Sequence, residues 1–137
     1  MLANGAKLSW KTKGKEGEYA DLPGLKEIPD MGINKEKVEN TCLSDETKQY
    51  EFGIGDAGDI TYKFKYSNTE ADSPYRTMRQ MEADGTTLSF KETLADGSTT
   101  EFDAQVSVKR TGGGVNGVID FDLNLALQSG FKYTDPA

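Results

Sequence analysis

The sequence predicts a mainly β domain of the α+β type, a β-sandwich with one flanking helix. Three observations lead there. Apolar side chains fall on every second position in several runs, and "VNGVIDFDLNLAL" (115–127) is the longest of them. Period-two alternation marks a strand with one buried face. Fifteen glycines stand against four prolines, which suits turn-rich β structure. One stretch alone carries a full set of helix signals. With 137 residues, 35% hydrophobic content and a mean hydropathy of -0.66, residues 1–137 read as one domain with a thin core.

In chain order, "KLSWK" (7–11) and "EYADL" (18–22) read as two strands of a hairpin around the polar turn "TKGKEG" (12–17). "LPGLKEIPDMG" (22–32) is punctuated by proline and glycine and predicts an ordered loop. "EKVENTCL" (36–43) predicts a strand. "SDETKQYEFGIGDAG" (44–58) has no sustained period and predicts a long loop, of the kind that is functional or disordered inside compact domains. "DITYKFKY" (59–66) alternates, with Ile60, Tyr62, Phe64 and Tyr66 on one side.

The helix is "SPYRTMRQMEADG" (73–85): Ser73 is placed to cap it, Pro74 takes its first position and Gly85 follows its end. Tyr75, Met78 and Met81 or Glu82 form its inner stripe. "TLSFKETL" (87–94) is a strand that leads to a tight turn at Asp96-Gly97. "TEFDAQVSVKR" (100–110) points Phe102, Ala104, Val106 and Val108 inward. "GGGVNG" (112–117) then connects to the last strand.

That last strand is unusually long. Thirteen residues span about 43 Å, against a diameter of roughly 37 Å for a compact domain of this size. Either it bends, with Gly117 as the place for a bulge, or part of it belongs to a sheet larger than one chain.

Composition excludes several classes. The net charge is -7, and it does not segregate: residues 1–70 carry 10 basic and 13 acidic groups, residues 71–137 carry 6 and 10. Such a chain lacks the cationic block that displaces counterions from nucleic acid. The N-terminus has no signal-peptide pattern, and no run approaches a membrane span of roughly 18 apolar residues. With one cysteine there is no intrachain disulfide, and a reducing cytoplasm is expected.

Nothing in the motifs points to an enzyme, a cofactor or a metal. There is no histidine, so Cys42 has no activating partner and reads as a half-buried strand residue. "DAGD", "EADG" and "LADG" lack calcium-loop spacing and read as turns. Asp120 and Asp122 lie about 7 Å apart on one strand face, but no aromatic-lined cleft accompanies them as glycoside hydrolysis would require. "GGGVNG" precedes a strand and has no following Lys-Ser/Thr, so it is no phosphate loop.

Taken together, "LPGLKEIPDMG", "EKVENTCLSD", "YEFGIGDAGDITYKFKY" and "VSVKRTGGGVNGVIDFDLNLALQS" make nearly the whole chain resemble the major tail tube protein of long-tailed (siphovirus-type) bacteriophages. Cys42, where such chains often have Thr, and "GINKEK" (32–37), in place of a more glycine-rich turn, depart from the pattern. The C-terminal immunoglobulin-like domain that some relatives carry is not expected here. The resemblance implies a structural virion protein in six-membered rings. Strands of neighbouring subunits join there into an inner β-barrel, and the rings stack into a tube. It also implies contact with the tape-measure protein, the tail terminator and distal tail proteins, passage of genomic DNA through the lumen without specific binding, and assembly in the host bacterial cytoplasm.

On this reading Asp120, Asp122 and Asn124 line the lumen, where an acidic surface would let DNA slide. The loop 44–58 is the inter-ring arm, with Tyr50, Phe52 and Ile54 as apolar anchors and Asp56 and Asp59 at its end. Two alternatives stand beside it. One is a monomeric carbohydrate- or receptor-binding β-sandwich of a phage baseplate. The other is the tube protein of a contractile injection device.

Overall fold

The computed structural model describes residues 1–14 and 17–136. Its strands are β1 (Lys7–Thr12), β2 (Ala20–Asp21), β3 (Leu25–Glu27), β4 (Asn34–Glu39), β5 (Tyr50–Asp56), β6 (Ile60–Lys65), β7 (Leu88–Thr93), β8 (Thr99–Thr111), β9 (Asp120–Leu127) and β10 (Lys132–Thr134). One helix, α1 (Pro74–Asp84), lies between β6 and β7. The main sheet is eight-stranded and antiparallel, in the order β2-β1-β7-β8-β9-β6-β3, with β10 beside the start of β8. β4 and β5 form a separate two-stranded ladder.

The main sheet curls into a half-barrel. β6 and β7 are three strand steps apart, about 14 Å in a flat sheet. Yet the Tyr62 hydroxyl on β6 donates a short hydrogen bond to Glu92 Oε2 on β7. The two layers expected of a sandwich are therefore two halves of one sheet folded towards each other, with the core between them.

The alternation read from β6, β8 and β9 decides what fills that core. Tyr62, Phe64, Phe121 and Leu123 are fully buried, as are Leu88 and Phe90 of β7. Phe64 stacks on Phe121 at 5.3 Å, and Tyr75 of α1 meets Phe121 edge-on at 5.4 Å. Met78 is the fully buried residue of the helix, and Tyr75 and Met81 pack beside it. Each such side chain contributes roughly 1.5–3 kcal/mol on leaving water.

The helix ends follow the sequence, with Pro74 in its first turn and Gly85 left-handed at φ 67°. Ser73 differs. Its hydroxyl does not cap the helix but turns back to Glu70, donating to the carbonyl at 2.8 Å and accepting from the N–H at 3.1 Å.

Several expectations are corrected. The thirteen-residue strand exists, but it is β8; the run 115–127 becomes strand only at Asp120. Asn116 takes a left-handed φ of 64°, and Gly117 N–H donates to Gly114 O at 2.9 Å, so a turn interrupts the apparent alternation. The predicted loop 44–58 contains all of β5. The strand expected at 36–43 is β4, shifted towards the N-terminus. Cys42 lies beyond β4 and is exposed, in a turn closed by its N–H to Asp45 Oδ2 at 2.8 Å. The predicted loop 22–32 contributes β3, and the strand expected at 18–22 shortens to β2. The hairpin turn 12–17 includes Lys15 and Glu16, which lie outside the described residues.

Candidate assembly surfaces

Three features of the surface stand out. The first is the β4–β5 hairpin. Its base pair is Asn34 with Asp56, and near its tip Glu39 pairs with Tyr50, so the ladder extends about 20 Å. Its strands pack on each other and on little else. Tyr50, Phe52 and Ile54 are 52%, 68% and 93% exposed, and Leu43 at the tip is fully exposed. Lys37 covers the Tyr50 ring at 5.4 Å.

Two glycines make this strand possible. A Cβ at Gly55 would fall 2.1 Å from Ile33 Cγ2 and 3.1 Å from Asn34 O, and one at Gly53 would fall 3.2 Å from Val38 Cγ2. These glycines gave the segment its loop-like look. Tyr50, Phe52, Ile54 and Asp56 are thus brought together on β5, whereas Asp59 sits in the link to β6.

The second is the open edge of β8. β7 pairs with β8 only as far as Ala104, while β9 covers the other side from Ala104 to Thr111. The backbone groups of Val106, Val108 and Arg110 point to the uncovered side, as the register of Phe102 and Ala104 towards β7 requires. Among the described residues the one hydrogen bond found there is a long contact at 3.4 Å, from Val108 N–H to Glu82 Oε1 of the helix. The helix α1 packs against β8, and an edge that makes no ladder of its own is one that a helix covers or another strand pairs.

The third is the outer face of the sheet, where β9 places Asp120, Asp122 and Asn124 opposite its buried Phe121, Leu123 and Leu125. The three are not alike. Asp120 is only 6% exposed; its Oδ2 accepts from Lys26 Nζ at 2.9 Å, and Oδ1 has no partner among the described residues. Asp122 lies between Lys63 of β6 and Lys109 of β8. Asn124 Oδ1 accepts from Thr61 Oγ1 at 2.8 Å. The chain's negative charge is therefore not concentrated on this face, which corrects the acidic character expected of it: acids and lysines share it.

The sequence reading missed the apolar exposure of the β8–β9 loop. Val115, Val118 and Ile119 are 97%, 66% and 48% exposed. A Cβ at Gly113 would meet Val118 O at 2.9 Å, and one at Gly117 would meet Gly114 N at 2.9 Å, so the loop is folded tightly on itself. Its even spacing imitated a strand, and only the turn at Asn116 reveals the difference.

Burial raises the Glu92 carboxyl above its ordinary value, with the Tyr62 hydrogen bond opposing in part. Burial, then the charge of Glu92, raises the Tyr62 hydroxyl. Among the described residues no three His, Cys, Asp or Glu side chains converge as metal ligands would.

A family model described as phage tail tube, TTP, lambda-like, matches residues 1–121. No curated protein matches the sequence. Among solved structures, a chain of the anti-feeding prophage (AFP) baseplate, 6-fold symmetrised, superposes with a TM-score of 0.75 at 9% identity, over 98% of this chain and 95% of that one. A chain from the tail of the empty gene transfer agent (GTA) particle, with C6 symmetry, gives 0.71 at 23% identity, over 97% and 99%. One from the virion of the native GTA particle gives 0.70 at 18%, over 98% of both chains. At these identities the likeness is one of fold.

Proposed function

The chain belongs to the lambda-like phage tail tube family, and from that premise we propose that its copies close into six-membered rings stacked as a tube that conducts DNA. The protein is a structural component of a phage-type tail. The observation that carries the finer reading is the β4–β5 arm: it holds Tyr50, Phe52, Ile54 and Leu43 in water, where a lone molecule gains nothing from them.

On this reading the arm joins successive rings, and the open edge of β8 receives a strand from the next subunit around the ring. Both are head-to-tail contacts between different patches. One closes on itself and the other repeats along the axis. Asp120, Asp122 and Asn124 line the lumen, where rows such as Lys63–Asp122–Lys109 mix both signs. DNA then meets no continuous cationic surface that would hold it by counterion release. The tape-measure protein, tail terminator and distal tail proteins are the further partners, and assembly takes place in the host bacterial cytoplasm. The role is architectural, without catalysis.

The tube of a contractile device is the second reading, favoured by the superposition on the anti-feeding prophage baseplate chain. A monomeric binding module leaves the arm unexplained. Electron microscopy of concentrated protein, alone and seeded with a tail-tip complex, tests the proposal. Tubes of stacked rings are expected; persistent monomers in both conditions would overturn it.

A further inference from the structure

The two exposed apolar surfaces lie at opposite ends of the sheet. β5 ends at Asp56 and β6 begins at Ile60, while β3 runs against β6 with Glu27 beside Lys63, so the arm is rooted at the Ile60 end. Asp120 pairs with Lys65 and with Thr111, so the 112–119 loop hangs from the Lys65 end. β6 separates the two by about 17 Å. The arm does not cover the loop of its own chain, since Val115 remains 97% exposed.

The two surfaces also fit each other. The loop has no charged residue from Thr111 to Ile119, and its close glycine contacts hold Val115, Val118 and Ile119 outward as a compact apolar knob. The arm presents apolar side chains on a two-stranded ladder whose register shifts between Lys35 and Lys37. Residues 34–59 carry three lysines and seven acids. Lys65, Lys109 and Arg110 flank the loop, with Glu70 and Asp72 on the neighbouring connection offsetting part of that charge. A contact between opposite ends of identical chains repeats without closing, which is what a filament axis needs.

Resting on the tube reading, we propose that the β4–β5 arm of one copy seats on the 112–119 loop of a copy in the adjoining ring. The lone native cysteine supplies the test, because Cys42 is exposed at the arm's tip. In Val115→Cys tubes, a flexible bis-maleimide should link Cys42 of one copy to position 115 of another. The expected product is a ladder of covalent multimers longer than one ring's complement of copies, absent from Val115→Cys/Cys42→Ser tubes. Intact tubes with no ladder, or a ladder that stops at one ring, would overturn the proposal while leaving the tube reading in place. The double variant Val115→Asp/Val118→Asp should keep the melting temperature and lose polymer mass at least tenfold; undiminished tubes would count against the contact. If the unmodified protein never polymerises, the tube reading itself falls, and this contact with it.

Discussion

Glu92 is the residue whose placement has the clearest consequence in solution. It points into the core from β7 and accepts from Tyr62 across the curl of the sheet. Burial raises its folded pKa above the ordinary 4.5. A raised folded pKa means that the native chain holds this proton more tightly than the unfolded chain. Its contribution is then full below the ordinary value and is lost as pH rises through the folded value. Glu92→Gln keeps an acceptor for Tyr62 and removes the titration. Urea midpoints of wild type and variant, compared from about pH 4.5 upward, should diverge in favour of the variant as pH rises. The difference between the two proteins isolates this group from the rest of the chain. A constant difference across the range would refute the assignment.

At the scale of elements, the role proposed for the arm separates folding from assembly. Phe52 and Ile54 make no core contact, so Phe52→Ser/Ile54→Ser should change monomer stability by no more than about 0.5 kcal/mol. Sedimentation velocity should nevertheless show polymer replaced by smaller species. A large drop in melting temperature would mean that the arm stabilises the fold itself. This hairpin is also where sequence reasoning fell short. β6 was legible because Ile60, Tyr62 and Phe64 alternate with polar residues against a single core. β5 was not, because Gly53 and Gly55 broke its pattern for the sake of Val38 on the paired strand and Ile33 just before it. In β9 the error ran the other way, since Val115 and Ile119 kept the period of a strand while the backbone turned at Asn116.

For the whole molecule, the proposed lumen poses the question of how an acidic chain would offer DNA a surface that neither grips nor blocks it. On that proposal the sheet's outer face would do so through pairing: Asp122 stands between Lys63 and Lys109, and Asp120 is held by Lys26. Asp122→Lys converts the first row to three lysines and repeats the change in every subunit. Tubes of this variant should still form, and should retain double-stranded DNA at low ionic strength and release it as salt rises. Salt-independent passage equal to wild type would place this face away from the lumen. This face is mixed in sign although the chain is acidic, because net charge says nothing about which face carries it.

What the sequence alone determined is the inward side of β6, β8, α1 and the strand part of β9, and the identity of the family. Both rest on local order, in the alternation of β6, β8 and β9, the Pro74 and Gly85 helix ends, and the succession of blocks along the chain. Strand lengths, the curl that brings Tyr62 to Glu92, the free stretch of β8 and the detached arm were decided by tertiary structure. Each of these depends on which distant segment lies alongside. Backbone hydrogen bonding is the same for every residue but proline, so the side-chain pattern of one strand does not reveal where its neighbour stops.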